Sequence, residues 1–419
     1  MAAHPAGLTA QAQPSSAACA PTRVRVLVLT PYFLPAEQGG GSVTAVLQVL
    51  QQLRDDFEFT VLARNHDLGQ TQAFLPQACR DAEAATGTRI HHLPSGWRGL
   101  VALARELREP WDVVYANSVM APDLALWPLL LRRLGLATRR AAWLLAPRGE
   151  LMPGALAQRA RLKRSYLGFM QVLGLWRGLT WQATSNEEAQ ALRTRFGCTS
   201  IAEVADLPNA PADMPDGMTR APGPLRVLFV SRIDPVKNLA GVLEVLAGVL
   251  HPVELSIVGP IGDAAYWARC QSHITQLPPQ VRVVYRGPVP PQAVAHQFKQ
   301  ADLLFLPSLG ENHGYVIAEA LAAGCPVLIS DRTPWRDLTS QGVGHDLALD
   351  DLPAFREALA RHAAMSDEAW QAQRRRCHAW VRARLADAKP ANDLRALLRQ
   401  LAQPNERMDS NSSVHGGGT

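Results

Sequence analysis

The chain has 419 residues, of which 47% are hydrophobic and 19% charged, and its formal net charge is +5 at pH 7. This composition is typical of a soluble globular protein, and the length predicts two domains rather than a single core. Residues 1–212 carry 21 Lys and Arg against 16 Asp and Glu, whereas the remainder is balanced. So small an excess, with no basic stripe interleaved with aromatic residues, argues against a nucleic-acid partner and fits a weakly basic face toward acidic lipid or phosphate.

Three further features bear on the compartment. Residues 1–21 contain no Lys, Arg, Asp or Glu and are rich in Ala, Pro and Ser, which predicts a disordered extension and not a signal peptide. The six cysteines are far apart and form no Cys-x-x-Cys pair, which favours reduced thiols over a disulfide frame or a zinc site. The longest apolar stretch, 124–131, is too short for the ~20 residues of a membrane span. We therefore expect a cytoplasmic protein, with any membrane contact peripheral.

Strand and helix signals alternate along the first half of the chain. Buried strands are predicted at 24–29, 57–62, 89–93, 113–116 and 142–145, with helices at 98–108 and 121–134 and another after the first strand. This alternation predicts a parallel sheet wrapped by helices over residues 22–207.

Two loops at carboxyl ends of these strands are candidate ligand contacts. Gly40 and Gly41 follow the first strand, and glycines there permit positive φ and close approach of a ligand to the backbone. A flexible surface loop is the alternative, and the spacing from the strand is not that of a dinucleotide fingerprint. Arg148 and Glu150 follow the strand at 142–145, where either residue would contact substrate or serve a structural role.

The pattern restarts after a Pro-rich linker at 208–224. Strands are predicted at 225–230, 255–258, 281–285, 303–306 and 327–329, which gives a second domain over 225–365. Residues 366–402 are predicted to be helical, and the tail at 403–419 is predicted to be disordered. The fold class is therefore α/β, with two Rossmann-like doubly wound sheets facing across a cleft.

Two cations flank the loop that follows the first strand of the second domain. Arg232 and Lys237 stand on either side of a strand-to-helix loop, where free helix amides and positive charge suit a diphosphate. Lys237 is one of only four lysines in the chain. Ordinary surface charge is the alternative. The sequence has no Asp-x-Asp motif, which favours a site that needs no metal.

Two carboxylates, Glu311 and Glu319, lie eight residues apart across a loop-to-helix junction. The loop follows the predicted strand 303–306, and ligands of open α/β sheets bind at that edge. A helix start attracts an anion, and a carboxylate accepts hydrogen bonds from vicinal hydroxyls, which together indicate a nucleotide sugar. The alternative is one solvated loop residue and one exposed helix residue.

Two segments of the chain closely resemble the retaining nucleotide-sugar glycosyltransferases of family 4, which have the GT-B fold. The first is Ser231-Arg232-x4-Lys237-Asn238. The second is Glu311-x7-Glu319 followed by Gly324-x-Pro326-Val. The resemblance covers most of residues 23–385. It implies that residues 366–402 cross back over the first domain.

The resemblance also implies roles for the candidate residues. Glu319 would bind the ribose, Glu311 the hydroxyls of the donor sugar, and Arg232 with Lys237 the diphosphate. The remaining donor contacts would be Gly314, His313 where relatives often have Phe, Arg286 through its backbone, and the loop with Gly40 and Gly41. Arg148, where many relatives have His, and Glu150 would face the donor sugar or the acceptor.

The implied activity is retaining, metal-independent transfer from a UDP- or GDP-sugar to a saccharide or lipid-linked saccharide in bacterial surface polysaccharide or lipopolysaccharide assembly. No cofactor and no enzymatic nucleophile are implied. A non-catalytic nucleotide-sugar-binding subunit and a nucleotide-sugar epimerase on the same fold are the alternatives. A basic and apolar helix predicted near residues 157–170 would either lie on an anionic membrane or pack on the domain.

Overall fold

The computed structural model describes residues 23–138, 140–157, 160–209, 219, 220 and 222–403. The predicted extension at 1–21, most of the predicted linker and nearly all of the predicted tail lie outside these residues. Within the described residues the chain forms two α/β units, each built on a parallel sheet.

The first unit contains seven parallel strands in the part of the chain that the structure describes, in the order β3-β2-β1-β4-β5-β6-β7. The strands are β1 (Val24–Leu29), β2 (Phe57–Arg64), β3 (Arg89–Leu93), β4 (Val113–Asn117), β5 (Ala142–Ala146), β6 (Thr180–Ala183) and β7 (Ile201–Glu203). The helices are α1 (Gly41–Leu53), α2 (Pro76–Thr86), α3 (Trp97–Glu106), α4 (Leu126–Arg133), α5 (Pro153–Ala157), α6 (Ala160–Val172) and α7 (Asn186–Phe196).

The second unit contains six parallel strands among its described residues, in the order β10-β9-β8-β11-β12-β13. The strands are β8 (Leu225–Val230), β9 (Val253–Val258), β10 (Val281–Gly287), β11 (Leu303–Leu306), β12 (Val327–Ser330) and β13 (Gly344–Leu347). The helices are α8 (Leu239–Leu246), α9 (Ala264–Ile274), α10 (Pro291–Gln300), α11 (Tyr315–Ala322), α12 (Leu338–Gln341) and α13 (Leu352–Ala363).

The central strands are mostly apolar because both faces of each sheet are covered by helices. In β1 the four residues from Val26 to Leu29 are fully buried, with alternate side chains entering the two separate cores of the first unit. Strand β11 is fully buried in the single core of the second unit. The two sheets thereby place the loops after β1 and β11 at their ligand-binding edges.

Two further helices, α14 (Asp367–Leu385) and α15 (Lys389–Ala402), follow the second unit. α14 packs on the second unit through Cys377 and Val381, whereas Leu394 and Leu398 of α15 are buried in a core of the first. Arg395 and Arg399 of α15 also bind the two carboxylate oxygens of Asp56, each at 2.7 Å. The last helix of the described chain is thus part of the first unit.

The predicted helix at 121–134 differs from the structure, in which α4 begins only at Leu126. Residues 121–125 form a turn, and the backbone at Ala125 has φ −122°, outside helical geometry. Asp123 in this turn is held by Arg64 of β2 through two hydrogen bonds of 2.6 and 2.7 Å. The tertiary contact has overridden the local helical periodicity.

Helix α6 lies on the basic and apolar segment near residues 157–170. The sequence allowed this segment either to lie on a membrane or to pack on the domain. Its Leu167 and Met170 are buried against the first unit, and Tyr166 donates a hydrogen bond to the Val119 carbonyl at 3.0 Å. Leu162 and Val172 on the same helix remain exposed. No helix among the described residues is both long and apolar enough to cross a bilayer.

Candidate active site

The loop after β8 carries the two predicted cations and is organised by Asp234. One carboxylate oxygen of Asp234 accepts hydrogen bonds from the amides of Val236 and Lys237 at 3.0 and 3.3 Å, which caps the short 3₁₀ helix Pro235–Lys237. Its other oxygen accepts a hydrogen bond from Arg232 Nε at 2.7 Å. Asp234 therefore fixes the backbone before Lys237 and the side chain of Arg232 at once.

The side chain of Arg232 packs against Gly262. A Cβ at Gly262 would lie 2.7 Å from the Cγ and Cδ atoms of Arg232, so a larger residue would displace this side chain. The Arg232 side chain is half exposed. It is thus positioned but remains open to a ligand from solvent.

Glu311 and Lys237 are brought together, although 74 positions separate them in the sequence. Lys237 Nζ donates to Glu311 Oε1 at 2.6 Å, and Ser308 Oγ donates to the same oxygen at 2.8 Å. The two loops are joined by the Leu309 amide, which donates to the Val236 carbonyl at 2.7 Å. Lys237 and Glu311 thus lie in contact at the carboxyl edge of the second sheet.

Glu319 lies in the second turn of α11 and is partly buried. Its Oε1 accepts a hydrogen bond from Asn209 Nδ2 at 3.1 Å. Burial raises the pKa of Glu319 to about 7. A carboxyl group with this pKa changes charge near neutral pH, and its present partner belongs to the segment between the two units.

The start of α11 is shaped by Gly314, which has φ 74° and precedes the first helical residue. A Cβ there would lie 3.0 Å from Ile317 Cδ1 and 3.1 Å from Trp335 Nε1, so both the backbone conformation and the space favour glycine. Trp335 Nε1 also donates to the His313 carbonyl at 2.7 Å. The buried indole of Trp335 therefore fixes the loop between Glu311 and Glu319.

His313 faces the interface between the units. Its ring centroid lies 4.2 Å from that of Tyr315, and burial lowers the pKa of His313. Its Nε2 is buried and has no hydrogen-bond partner among the described residues, and the same holds for Asn312 Oδ1. Buried polar atoms without partners are uncommon, and here two of them lie beside the predicted donor site.

Gly40 and Gly41 of the first unit lie close to the start of α11. Gly40 has φ 60° at the start of α1, and a Cβ at Gly41 would lie 3.5 Å from Tyr315 Cδ2. Tyr315 Oη donates to the Leu207 carbonyl at 3.1 Å, and Asn312 Nδ2 donates to Thr184 Oγ1 at 2.6 Å. The structure thus brings the Gly40 and Gly41 loop against the segment that carries Glu311 and Glu319.

Arg148 is committed to a buried network. Its guanidinium pairs with Asp206, and it also donates to Asn117 Oδ1 from Nε at 2.9 Å and to Tyr115 Oη from Nη2 at 3.0 Å. Burial lowers the pKa of Arg148, but the Asp206 carboxylate and other neighbouring groups, Glu188 among them, together raise it by more, so that the pKa lies above its ordinary value. Arg148 therefore stays charged, and it adopts a positive φ of 49° beside Gly149.

Glu150 caps a turn inside the first unit. Its carboxylate accepts hydrogen bonds from Ser118 Oγ at 2.8 Å and from the amides of Val119 and Met120 at 2.6 and 3.0 Å. Burial raises the pKa of Glu150, and these hydrogen bonds oppose the rise. This arrangement is structural, and a contact of Glu150 with acceptor stays a prediction.

Arg286 lies apart from the other candidates, within β10 and not after it. Its Nε donates to Ser256 Oγ at 3.1 Å, and its Nη2 lies 4.0 Å from the Glu254 carboxylate. Both partners are on the neighbouring strand β9. The side chain is thus engaged along the sheet, and its backbone contact with a base stays a prediction.

The sequence reasoning missed three residues that shape this site: Asp234, Asn209 and Tyr315. Asp234 had a recognisable signal, since Asp followed by Pro is typical of a helix start. Asn209 and Tyr315 gave none, because their partners are in the other half of the chain.

Comparison of the sequence with known proteins finds similarity over part of the chain. Residues 217–350 match the family model for glycosyl transferases group 1. A phosphatidyl-myo-inositol mannosyltransferase of Mycobacterium leprae is 35% identical over 139 residues, which is 32% of this chain and 36% of that protein. An alpha-monoglucosyldiacylglycerol synthase of Streptococcus pneumoniae is 31% identical over 106 residues, which is 25% of this chain and 24% of that protein. The alignments thus span only about a third or less of these curated relatives.

Solved structures resemble the whole described chain. HepE of Anabaena, crystallised with UDP and glucose, superposes with a TM-score of 0.65 at 16% identity, covering 91% of this chain and 100% of that one. WaaG, a glycosyltransferase involved in lipopolysaccharide biosynthesis, superposes with a TM-score of 0.64 at 13% identity, covering 89% and 99%. With the two parallel-sheet units described above, these likenesses show that the chain has the GT-B fold, as the sequence predicted.

Proposed function

We propose that this protein is a retaining glycosyltransferase that moves a sugar from a UDP- or GDP-sugar to a saccharide or lipid-linked saccharide acceptor. The observation that carries the proposal is the junction of Lys237 with Glu311 at the carboxyl edge of the second sheet. Glu319 lies on the adjoining helix, and the Gly40 and Gly41 loop of the first unit lies opposite. The match of this region to glycosyl transferases group 1 supports the same conclusion.

The diphosphate of the donor would bind between Arg232 and Lys237. Lys237 is now paired with Glu311, and Arg232 with Asp234, so both cations are already neutralised by carboxylates. A bound diphosphate would compete for their N–H donors and receive charge-assisted hydrogen bonds. These would stabilise the negative charge that develops on the leaving phosphate oxygen, with no metal required.

The ribose would bind at Glu319. A carboxylate accepts hydrogen bonds from two vicinal hydroxyls at once, and Asn209 Nδ2 occupies one of its oxygens in the present structure. We therefore expect a bound nucleotide to replace Asn209. The Glu311 carboxylate, released from Lys237, would accept hydrogen bonds from the donor sugar, with His313 and the unpaired Asn312 Oδ1 beside it.

In the proposed reaction the bond between C1 of the sugar and the diphosphate oxygen breaks, and a bond from C1 to the acceptor oxygen forms on the same face. The acceptor proton passes to the departing diphosphate. No enzymatic nucleophile takes part. A bacterial lipid-linked acceptor is favoured because curated relatives include a phosphatidyl-myo-inositol mannosyltransferase and an alpha-monoglucosyldiacylglycerol synthase. The exposed apolar residues of α6 would let the protein contact an anionic membrane from its cytoplasmic side.

The test is nucleotide binding measured by thermal unfolding with UDP, GDP and ADP. A ligand at ~100 times its dissociation constant should add about 2.7 kcal/mol to the stability, and we expect this for UDP or GDP. Glu319→Ala should abolish the effect. Lys237→Ala should lower the turnover number for transfer by ~10²- to 10³-fold because it removes charge stabilisation of the leaving group.

Lys389→Ala is the matched control, since Lys389 is largely exposed and pairs with Asp393 on its own helix.

Transfer should persist in EDTA, and a strict need for added Mg²⁺ or Mn²⁺ would contradict the metal-independent mechanism. Binding without transfer or donor hydrolysis would favour a non-catalytic subunit. A changed donor sugar without acceptor would favour an epimerase.

A further inference from the structure

A cavity that the donor site does not use lies at the carboxyl edge of the first sheet. It has a volume of about 340 Å³ and lies between the ends of β2 and β3 and the helices α3 and α4. Its walls include Trp97, Leu100 and Trp127, together with Arg64 and Asp123. This volume is near the lower end of the ~300–1,000 Å³ of small-molecule sites, so the cavity suits one small ligand.

Two tryptophans at this cavity are left in contact with water. Trp97 is 72% exposed and Trp127 is 41% exposed, although the fold buries Trp181 and Trp370 almost completely. Trp97 is the first residue of α3, and a Cβ at Gly99 would lie 1.9 Å from the Pro94 carbonyl, so this first turn is packed tightly on the preceding loop. Indoles present a broad apolar face with a polar edge, which suits an amphipathic ligand.

The polar part of the cavity is an ion pair. Arg64 donates to both carboxylate oxygens of Asp123, from Nε at 2.7 Å and from Nη2 at 2.6 Å. The Asp123 side chain is still 48% exposed, and each carboxylate oxygen has a second lone pair. The pair therefore offers acceptors and donors to a ligand while carrying no net charge.

The same arginine connects the cavity to the donor cleft. Arg64 Nη1 donates to Tyr32 Oη at 2.7 Å, and the guanidinium carbon lies 4.9 Å from the Tyr32 ring centroid. Tyr32 belongs to the β1–α1 loop, where a Cβ at Gly39 would lie 3.0 Å from Tyr32 Cβ. The cavity thus adjoins the loop whose Gly40 and Gly41 face the proposed donor site.

We propose that this cavity binds one sugar ring of the acceptor, with the C–H face of the ring on Trp97 and Trp127 and its hydroxyls on Arg64 and Asp123. The proposal rests on the proposed function, which requires an acceptor on the side of the first unit. An alkyl chain fits less well. It would displace water from the ion pair and offer no hydrogen bonds in place of those that the pair makes with water. The absence of net charge in the pair suits a neutral sugar better than a phosphate.

Binding can be measured before the acceptor is identified. The ten tryptophans are replaced by 5-fluorotryptophan, and Trp97→Phe and Trp127→Phe assign two signals in the fluorine NMR spectrum. Methyl glycosides of common hexoses and N-acetylhexosamines are then titrated into the millimolar range expected for single sugars. We expect at least one glycoside to give saturable shifts confined to these two signals. No shift with any glycoside, or shifts with hexanol alone, would overturn the proposal.

Transfer kinetics give a second test. Trp97→Ala should raise the acceptor KM about tenfold, the change produced by ~1.4 kcal/mol, and leave UDP or GDP binding unchanged. Trp97→Phe should stay near the wild-type KM because it keeps an aromatic face. Leu250→Ala, at a site that is 94% exposed in the second unit, is the control. Nucleotide binding with unaltered acceptor KM would reject the subsite alone, whereas absence of nucleotide binding would reject the proposed function.

Discussion

At the scale of single residues, the surroundings of a side chain decide its chemistry more than its type does. Glu311 and Glu319 belong to one motif, yet Glu311 is paired with a cation whereas Glu319 has only an amide partner. Burial therefore acts on Glu319 without a compensating charge and raises its pKa to about 7. The two carboxylates of one motif are thus prepared for different tasks.

The raised pKa of Glu319 predicts a pH dependence of stability. The folded protein holds this proton more tightly than the unfolded chain, whose Glu has an ordinary pKa of 4.5. The contribution is therefore fully present below about pH 4.5 and is lost as pH rises through about 7. Glu319→Gln should remove this loss, so that the variant gains ~3 kcal/mol over wild type between pH 4.5 and 8.

Urea unfolding at a series of pH values measures this difference. Glu58→Gln, at an exposed position of β2, is the matched control and should track wild type throughout. A difference between Glu319→Gln and wild type that stays constant with pH would show that the pKa of Glu319 is the same in the folded and unfolded protein.

At the scale of elements, α15 shows how one helix binds two units together. It follows the second unit in sequence, yet its apolar face is buried in a core of the first, through residues such as Leu394 and Leu398. The paired arginines that bind Asp56 lie on the same helix. Its stability therefore derives from tertiary packing and not from helix propensity alone.

Leu398→Ala should lower the free energy of unfolding by ~2–5 kcal/mol, because it leaves a cavity at a fully buried position. Gln400→Ala, two residues later and exposed, should change it by less than ~0.5 kcal/mol. Chemical denaturation measures both. Equal effects of the two substitutions would mean that α15 is not docked on the first unit in solution.

At the scale of the whole molecule, the two units are held across the cleft by a few polar contacts. Asn312 binds Thr184, Tyr315 binds the Leu207 carbonyl, and Asn209 binds Glu319. Asn209 lies between the units in sequence, and the proposed ribose site is one end of its contact. A nucleotide that displaced Asn209 from the proposed ribose site would therefore also affect the relative position of the units.

A double-mutant cycle with Asn312→Ala and Thr184→Val tests this closed arrangement. The hydrogen bond between these side chains, 2.6 Å long, should give a coupling energy of about 0.5–1.5 kcal/mol in urea unfolding. The cycle subtracts the separate effect of losing the hydrogen bond from Thr184 to Glu188. A coupling energy of zero would mean that the cleft is open in solution.

The sequence by itself determined the features that depend on local pattern. Buried parallel strands read as short apolar runs, so β1, β3 and β11 were predicted with the bounds that the structure shows. The edge position of Glu311 and Lys237 followed in turn, because loops after parallel strands meet at one side of a sheet. The resemblance supplied the GT-B fold.

Only the tertiary structure decided the features that join distant parts of the chain. The contact of Arg148 with Asp206 spans 58 positions, and that of Arg64 with Asp123 spans 59. No periodicity encodes such pairs, since each side chain is compatible with its own segment alone. The turn at 121–125, the role of Glu150 and the tryptophan-lined cavity depend on contacts of this kind, because packing against other elements outweighs small local preferences.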